Sequence, residues 1–249
     1  MARLSDRKVL VTGGSGYVGS EVVRALLAEG AKVANLDLRE GNFASPDRAR
    51  LRTLIGDVAD TGSCEVAVAR AVDFLGGLDA LICAAGVMLT DDGELGRVSE
   101  KAWDGTLSAN AKGAWLAATH SLRWLRGGSH PSITFIGSIA ADRGSTTSQL
   151  AYSVSKGAVA ALTTELAVSL APVGIRVNRV SPGPLHGGVL GSRLREPGAK
   201  ERRELSVPVG RLGEAQDVAR ACVFLVESTA DYVTGINLVV DGGISVRLI

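Results

Sequence analysis

Tyr152 and Lys156 stand four residues apart at the head of a helical pattern, which places a phenol and an ammonium on one helical face. A phenol can exchange a proton with an alcohol or carbonyl oxygen. Its ordinary pKa of about 10 is too high for efficient work at neutral pH, so a neighbouring ammonium is expected to lower it. Upstream, an apolar run over residues 133–136 delivers Gly137 and Ser138. A serine there could hydrogen-bond a substrate oxygen, although a turn or helix-cap serine occupies such a place equally well. Asn110 falls inside a helical pattern, where an amide is a poor helix former, and is expected to hold a kink and a relay water. Together these residues suggest acid–base work on an oxygen.

Such chemistry needs an electron carrier, and the N-terminal end offers a place for one. Thr12-Gly13-Gly14-Ser15-Gly16-Tyr17-Val18-Gly19 follows a short apolar run and opens a helical pattern. Glycines at 14, 16 and 19 satisfy G-x-G-x-x-G, a turn that brings backbone N–H groups and a helix N-terminus to a pyrophosphate. Gly13, Ser15, Gly16, Tyr17, Val18 and Gly19 are therefore expected to line a dinucleotide site. Asp37 ends the second apolar run near the spacing of a ribose-binding acid, with Leu38 beside it. A carboxylate there accepts from both ribose hydroxyls and repels a 2′-phosphate, which favours NAD over NADP. Arg39, two residues on, could still take that phosphate. Asp57-Val58 and Ala84-Ala85-Gly86 close two further apolar runs and are expected to join the site, Asp57 either at the adenine amino group or as a turn residue. Lys156 is also expected to hold the nicotinamide ribose.

The elements that must position these residues alternate. Strands are expected over residues 8–11, 32–37, 52–55, 78–83, 133–136, 175–180 and 236–240, with helices starting near Tyr17, Ser63, Glu100, Leu150 and Glu214. Several strands are apolar throughout, as in parallel sheets covered on both faces. The pattern predicts an α/β fold: one Rossmann-like doubly wound sheet of about seven parallel strands flanked by helices, a single domain over residues 1–249. Residues 184–206, rich in glycine and charge, are expected to form an irregular substrate lid.

Composition excludes several other roles. The formal net charge of +1 and 4% aromatic content argue against nucleic acid. Apolar runs too short for a span argue against a membrane. Cys64, Cys83 and Cys222 show neither disulfide nor metal spacing. No metal is expected, and a reducing cytoplasm is the natural compartment.

With these residues in view, the chain resembles the short-chain dehydrogenase/reductase family in its compact form of about 250 residues. The likeness runs from the glycine turn through Asp57-Val58, Cys83-Ala84-Ala85-Gly86, Asn110, Ser138, Tyr152 and Lys156 to Asn178-Arg179-Val180-Ser181-Pro182-Gly183. It continues with residues 208–213, 232–235 and 240–243. It implies a catalytic tetrad of Asn110, Ser138, Tyr152 and Lys156, a cofactor contact by Pro182 and Gly183, and a homotetramer or homodimer built on long helices. Three departures stand out. Gly16 and Tyr17 replace the usual x-Gly of Thr-Gly-x-x-x-Gly-x-Gly, a register resembling longer epimerase and dehydratase relatives. Gly187 stands where a cofactor-binding threonine is usual, leaving backbone near Leu185, or His186, to orient the nicotinamide. Cys83 and Ala84 replace two asparagines.

The implied activity is NAD(P)-dependent interconversion of a secondary alcohol and a carbonyl on a small molecule. Family members acting on carrier-bound acyl groups have a basic pair whose places here resemble Ser132 and Val173; Arg126 keeps that option open. An epimerase or dehydratase using a tightly bound cofactor is an alternative, and a non-catalytic nucleotide-sensing protein is another. Arg193, Arg195, Lys200, Arg202 and Arg203 give the lid a small positive excess over Glu196, Glu201 and Glu204. That excess suits either an anionic substrate or an ordinary solvated surface.

Overall fold

The computed structural model describes residues 3–43, 49–144, 149–188 and 198–247. Seven strands, β1 (Lys8–Thr12), β2 (Lys32–Asp37), β3 (Leu51–Ile55), β4 (Ala80–Cys83), β5 (Ser132–Ile136), β6 (Arg176–Pro182) and β7 (Asn237–Val240), form one sheet. Their order is β3-β2-β1-β4-β5-β6-β7, parallel at every pairing. The expected strands agree with these to within a few residues at each end.

Helices α1 (Tyr17–Ala28), α2 (Thr61–Leu75), α3 (Glu100–Leu107), α4 (Gly113–Leu125), α5 (Leu150–Leu170), α6 (Ala199–Ser206) and α7 (Ala215–Val226) complete the chain. Strand side chains alternate between the two faces, so β1 sends Leu10 one way and Val9 and Val11 the other. Leu10, Leu81, Ile133, Phe135 and Val177 pack with α2, α4 and α5. Val9, Val11, Ile82 and Val180 pack with α1 and α7. Each buried Leu, Val or Ile contributes about 1.5–3 kcal/mol, and the two-sided burial fixes the sheet's register.

Strand order reverses between β1 and β4, where the strands' carboxyl ends leave a crevice. A cleft of about 1150 Å³ opens there.

Two expectations need correction. The stretch over 184–206 is not irregular throughout, because its described end forms α6. Lys200 and Glu204, one helical turn apart and 3.8 Å from each other, support that helix. Arg193, Arg195 and Glu196 lie outside the described residues. Second, Leu150–Val173 has the length and composition of a membrane span. Lys156 and Glu165 interrupt its apolar sequence. Here it is the helix that carries Tyr152, and its Val159, Ala167 and Leu170 face the sheet.

Candidate active site

The glycine turn owes its shape to close backbone packing. Gly13 has φ +70°, and a Cβ there would overlap the backbone of Ala85. The turn is thus pressed against the end of β4. Gly16 caps α1 in extended conformation, and a Cβ on it would meet only the Gly13 carbonyl, at 3.2 Å. Gly13, Gly16, Tyr17, Val18 and Gly19 line the cleft, as do Asp37, Leu38, Asp57, Val58, Ala84, Ala85 and Gly86. Pro182, Gly183 and Leu185 line it from the end of β6. Ser15 does not line it. Its backbone N–H donates to Asp37 Oδ2 at 2.9 Å and its hydroxyl to the Arg39 carbonyl, so Ser15 ties β2 to the turn. The cradle suits a dinucleotide: an acid at the end of β2, a turn without side chains over the helix N-terminus, and apolar walls.

Asp57 is a turn residue that also faces the cleft. Its Oδ1 accepts from Ala59 N–H at 2.8 Å, while Asp60 caps α2 by accepting from Ser63 N–H.

At the other end of the cleft, β5 delivers Ser138 and α5 delivers Tyr152 and Lys156. Ser138 accepts from Ala140 N–H at 3.1 Å as a turn cap, and its hydroxyl stands near enough to the Tyr152 phenol to lower that group's pKa. Lys156 Nζ lies 5.6 Å from the centre of the Tyr152 ring and donates to the Ile136 carbonyl at 2.8 Å. All three side chains are buried and line the cleft.

The electrostatics differ from expectation. Burial raises the Tyr152 pKa, with the Ser138 hydrogen bond opposing. Burial also lowers Lys156 to about 8. Desolvation disfavours both charged forms, and it outweighs the anticipated lowering of the phenol by the ammonium. The protein's own groups therefore hold Tyr152 as a neutral acid at pH 7.

Asn110 sits in a five-residue π-helical segment, Ser108–Lys112, between α3 and α4. That bulge is the kink its residue type suggested. Its Oδ1 accepts from Val87 N–H at 2.7 Å, and its Nδ2 donates to the Val87 carbonyl and Ser155 Oγ, both at 2.9 Å. Ser155 Oγ in turn donates to the Tyr152 carbonyl. Asn110 thus braces the end of β4 against α5. A Cβ built on Gly86 would lie 3.3 Å from Asn110 Oδ1 and 3.5 Å from Lys156 Nζ, so these two groups converge beneath that glycine.

Sequence reasoning missed Asp92. Buried in the loop after β4, it accepts from the backbone N–H groups of Ala151 and Tyr152, each at 2.9 Å. It caps α5 across sixty residues of sequence, and no local pattern announces a cap so distant. Asp92→Ala is expected to cost about 2 kcal/mol by orphaning two buried donors, and to lower kcat with little change in cofactor affinity. Thermal unfolding and steady-state kinetics check both effects.

Two of the departures noted in the sequence prove to be one structural feature. The Tyr17 ring packs against Gly187 and Gly188 after β6, where a Cβ on Gly187 would lie 2.5 Å from Tyr17 Cε2. The Tyr17 hydroxyl donates to Glu214 Oε2 at 3.3 Å, and His186 Nε2 lies 3.4 Å from Glu214 Oε1. His186 N–H donates to the Gly213 carbonyl. His186 thus joins the segment after β6 to the loop before α7, and it is not among the residues lining the cleft. Tyr17 fills the space a larger residue at 187 would need. Gly187→Thr alone is expected to raise the cofactor Kd about tenfold, and Tyr17→Gly in the same chain to restore much of it. Fluorescence titration with reduced nicotinamide cofactor across the four proteins of the cycle measures this.

Comparison with known proteins agrees with this geometry. The family model described as enoyl-(acyl carrier protein) reductase matches residues 15–245. The 2-(S)-hydroxypropyl-CoM dehydrogenase 3 of Xanthobacter autotrophicus is 32% identical over 254 residues, covering 98% of both chains. The 3-oxoacyl-[acyl-carrier-protein] reductase of Chlamydia pneumoniae is 32% identical over 255 residues, covering 97% of this chain and 98% of its own. Among solved structures, ligand-free aldohexose dehydrogenase from Thermoplasma acidophilum superposes with a TM-score of 0.91 at 26% identity. That alignment covers 99% of this chain and 97% of the other.

Proposed function

From the premise that this chain belongs to the short-chain dehydrogenase/reductase family, we propose that it interconverts a ketone and a secondary alcohol on a free small molecule, with Tyr152 as general acid and base. One observation carries the reading: the buried Ser138 and Tyr152 line the same cleft as the glycine turn and Asp37. A bound nicotinamide supplies the electron pair in reduction and takes it back in oxidation. The protein's part is to place the oxygen and move the proton. Ser138 donates a hydrogen bond to the carbonyl oxygen, and Tyr152 releases its proton to that oxygen as negative charge grows there. Carbonyl, electron pair with its hydrogen, and phenolic proton sum to the alcohol. Lys156 keeps N–H groups beyond the one given to Ile136, and these would hold the nicotinamide ribose. Asn110 and Asp92 position α5 beneath them.

Asp37 supports NAD over NADP, since its carboxylate would meet a 2′-phosphate with like charge. The three buried free cysteines suit a reducing cytoplasm. Trp115 on α4 and Val154 and Val168 on α5 are exposed apolar residues, which favour a homodimer or homotetramer joined through these helices.

The test is a screen of ketones, hydroxysteroids, sugars and oxo acids against NADH and NADPH, followed by absorbance. Stoichiometric cofactor consumption is expected. Product formation without net consumption would instead support the epimerase reading that the Tyr17 register raises. The reductive kcat/KM is also expected to fall above about pH 8, as Lys156 loses its proton while Tyr152 remains protonated. In Lys156→Arg, a pH–rate profile should show that limb moved upward.

A further inference from the structure

The cleft's charges are segregated. Its only carboxylates among the described lining residues are Asp37 and Asp57, both at the end formed by β2 and β3, where Arg39 also lies. Among the described residues, the end bearing Ser138 and Tyr152 has no lining acid and four arginines: Arg143 after β5, Arg202 and Arg203 on α6, and Arg247 near the C-terminus. The neighbouring acids are turned to other work. Asp142 pairs with Arg179 at 2.9 Å, and Asp241 accepts from the backbone N–H groups of Gly243 and Ser245. Glu204 lies 3.8 Å from Lys200 and 4.0 Å from His186. Arg143 and Arg203 form no ion pair among the described residues. Arg247 donates to the Leu205 and Ser206 carbonyls, which close α6, and so fixes the helix that carries Arg203.

The guanidinium groups of Arg143 and Arg203, with no ion pair among the described residues, hold a field that an anionic ligand would neutralise, and a cleft's low-dielectric sides strengthen that field. Ile139, Leu205 and Ile244 line the same end and offer aliphatic contact. Resting on the carbonyl-reductase reading above, we propose that the substrate is an aliphatic oxo or hydroxy anion. Its carboxylate, sulfonate or phosphate is held by Arg143 and Arg203 while its oxygen meets Ser138 and Tyr152. Neutral sugars and steroids lack the group this wall selects. The phosphates of the cofactor are the other source of the same chemistry, and the experiment separates the two.

Matched pairs decide it: 3-oxobutanoate, 4-oxopentanoate and 5-oxohexanoate, each against its methyl ester, which has the same reacting carbonyl without the charge. At low ionic strength, kcat/KM is expected to favour the acid by tenfold or more in at least one pair. The preference should shrink in added salt and collapse in Arg203→Gln and Arg143→Gln, with Arg203→Lys retaining part of it. NADH affinity, titrated separately, should change less than twofold in these variants. Esters reduced as well as acids in every pair would overturn the proposal while leaving the reductase reading intact. So would a Gln variant that loses NADH affinity and treats acid and ester alike, since the arginines would then serve the cofactor. If no member of any pair turns over, the protein–NADH complex is titrated with butane-1-sulfonate and with butan-1-ol. Saturable quenching by the sulfonate alone, lost in Arg203→Gln, supports the proposal; equal responses overturn it.

Discussion

Tyr152→Phe is expected to lower kcat by about 10³-fold while leaving the Kd for reduced nicotinamide cofactor within about twofold of the parent. The substitution removes one oxygen and keeps the ring, so the buried packing at the head of α5 survives. What is lost is the proton delivered to the substrate oxygen and the hydrogen bond the phenol makes to that oxygen. Three orders of magnitude amount to about 4 kcal/mol of barrier, within what a positioned general acid and one oriented hydrogen bond supply. Ser138→Ala should fall between the two proteins, because water can replace the hydroxyl's hydrogen bond but not its fixed direction. Stopped-flow absorbance and a fluorescence titration on the same samples give both quantities. Full activity in the phenylalanine variant would remove Tyr152 from the mechanism.

The second large effect concerns the cofactor. Asp37→Ala is expected to shift the ratio of kcat/KM for NADH over NADPH by on the order of 100-fold toward NADPH. Two like charges about 4 Å apart repel by about 1–4 kcal/mol, depending on how much water lies between them. Removing the carboxylate removes that repulsion and leaves the Arg39 guanidinium beside the space a 2′-phosphate would take. Part of the loss with NADH will come from the protein itself, since Asp37 accepts from Ser15 N–H and, at 3.3 Å, from Arg39 N–H. Asp37→Asn keeps an acceptor for those donors and so separates the two causes. It should relax cofactor choice with a smaller fall in NADH turnover. An unchanged ratio in both variants would take Asp37 out of cofactor selection.

What could be read from sequence follows from how local each signal is. The strands were legible because burial on both faces writes an uninterrupted apolar run into the chain, as in Leu81-Ile82 and Ile133-Thr134-Phe135. The glycine turn was legible because its pattern is contained in eight residues, Thr12 to Gly19, although Gly13 packs against distant Ala85. The bulge at Asn110 showed as an amide where the helix did not want one. Other features depend on residues that meet only in the fold. Asp92 caps a helix by accepting from Tyr152 N–H sixty positions on, and Tyr17 reaches Glu214 across almost the whole chain. The change at Gly187 looked like a lost cofactor contact, whereas the structure shows it making room for Tyr17. The direction of the Tyr152 shift was misread for the same kind of reason. Spacing reveals that an ammonium is near, but not how much water both groups have lost. Charge segregation along the cleft was also hidden, because Arg143, Arg203 and Arg247 come from three separate segments.

The most direct measurement follows a label through one turnover. Reduced cofactor carrying deuterium at the transferring C4 position is mixed with excess protein and a ketone or oxo acid that the screen shows to be reduced. The product is then read by mass and NMR. Transfer of one deuterium to the carbinol carbon per cofactor oxidised is predicted in the parent, with a rate about 10³-fold lower in Tyr152→Phe. Product without the label, or label transferred at equal rates by both proteins, would contradict the account.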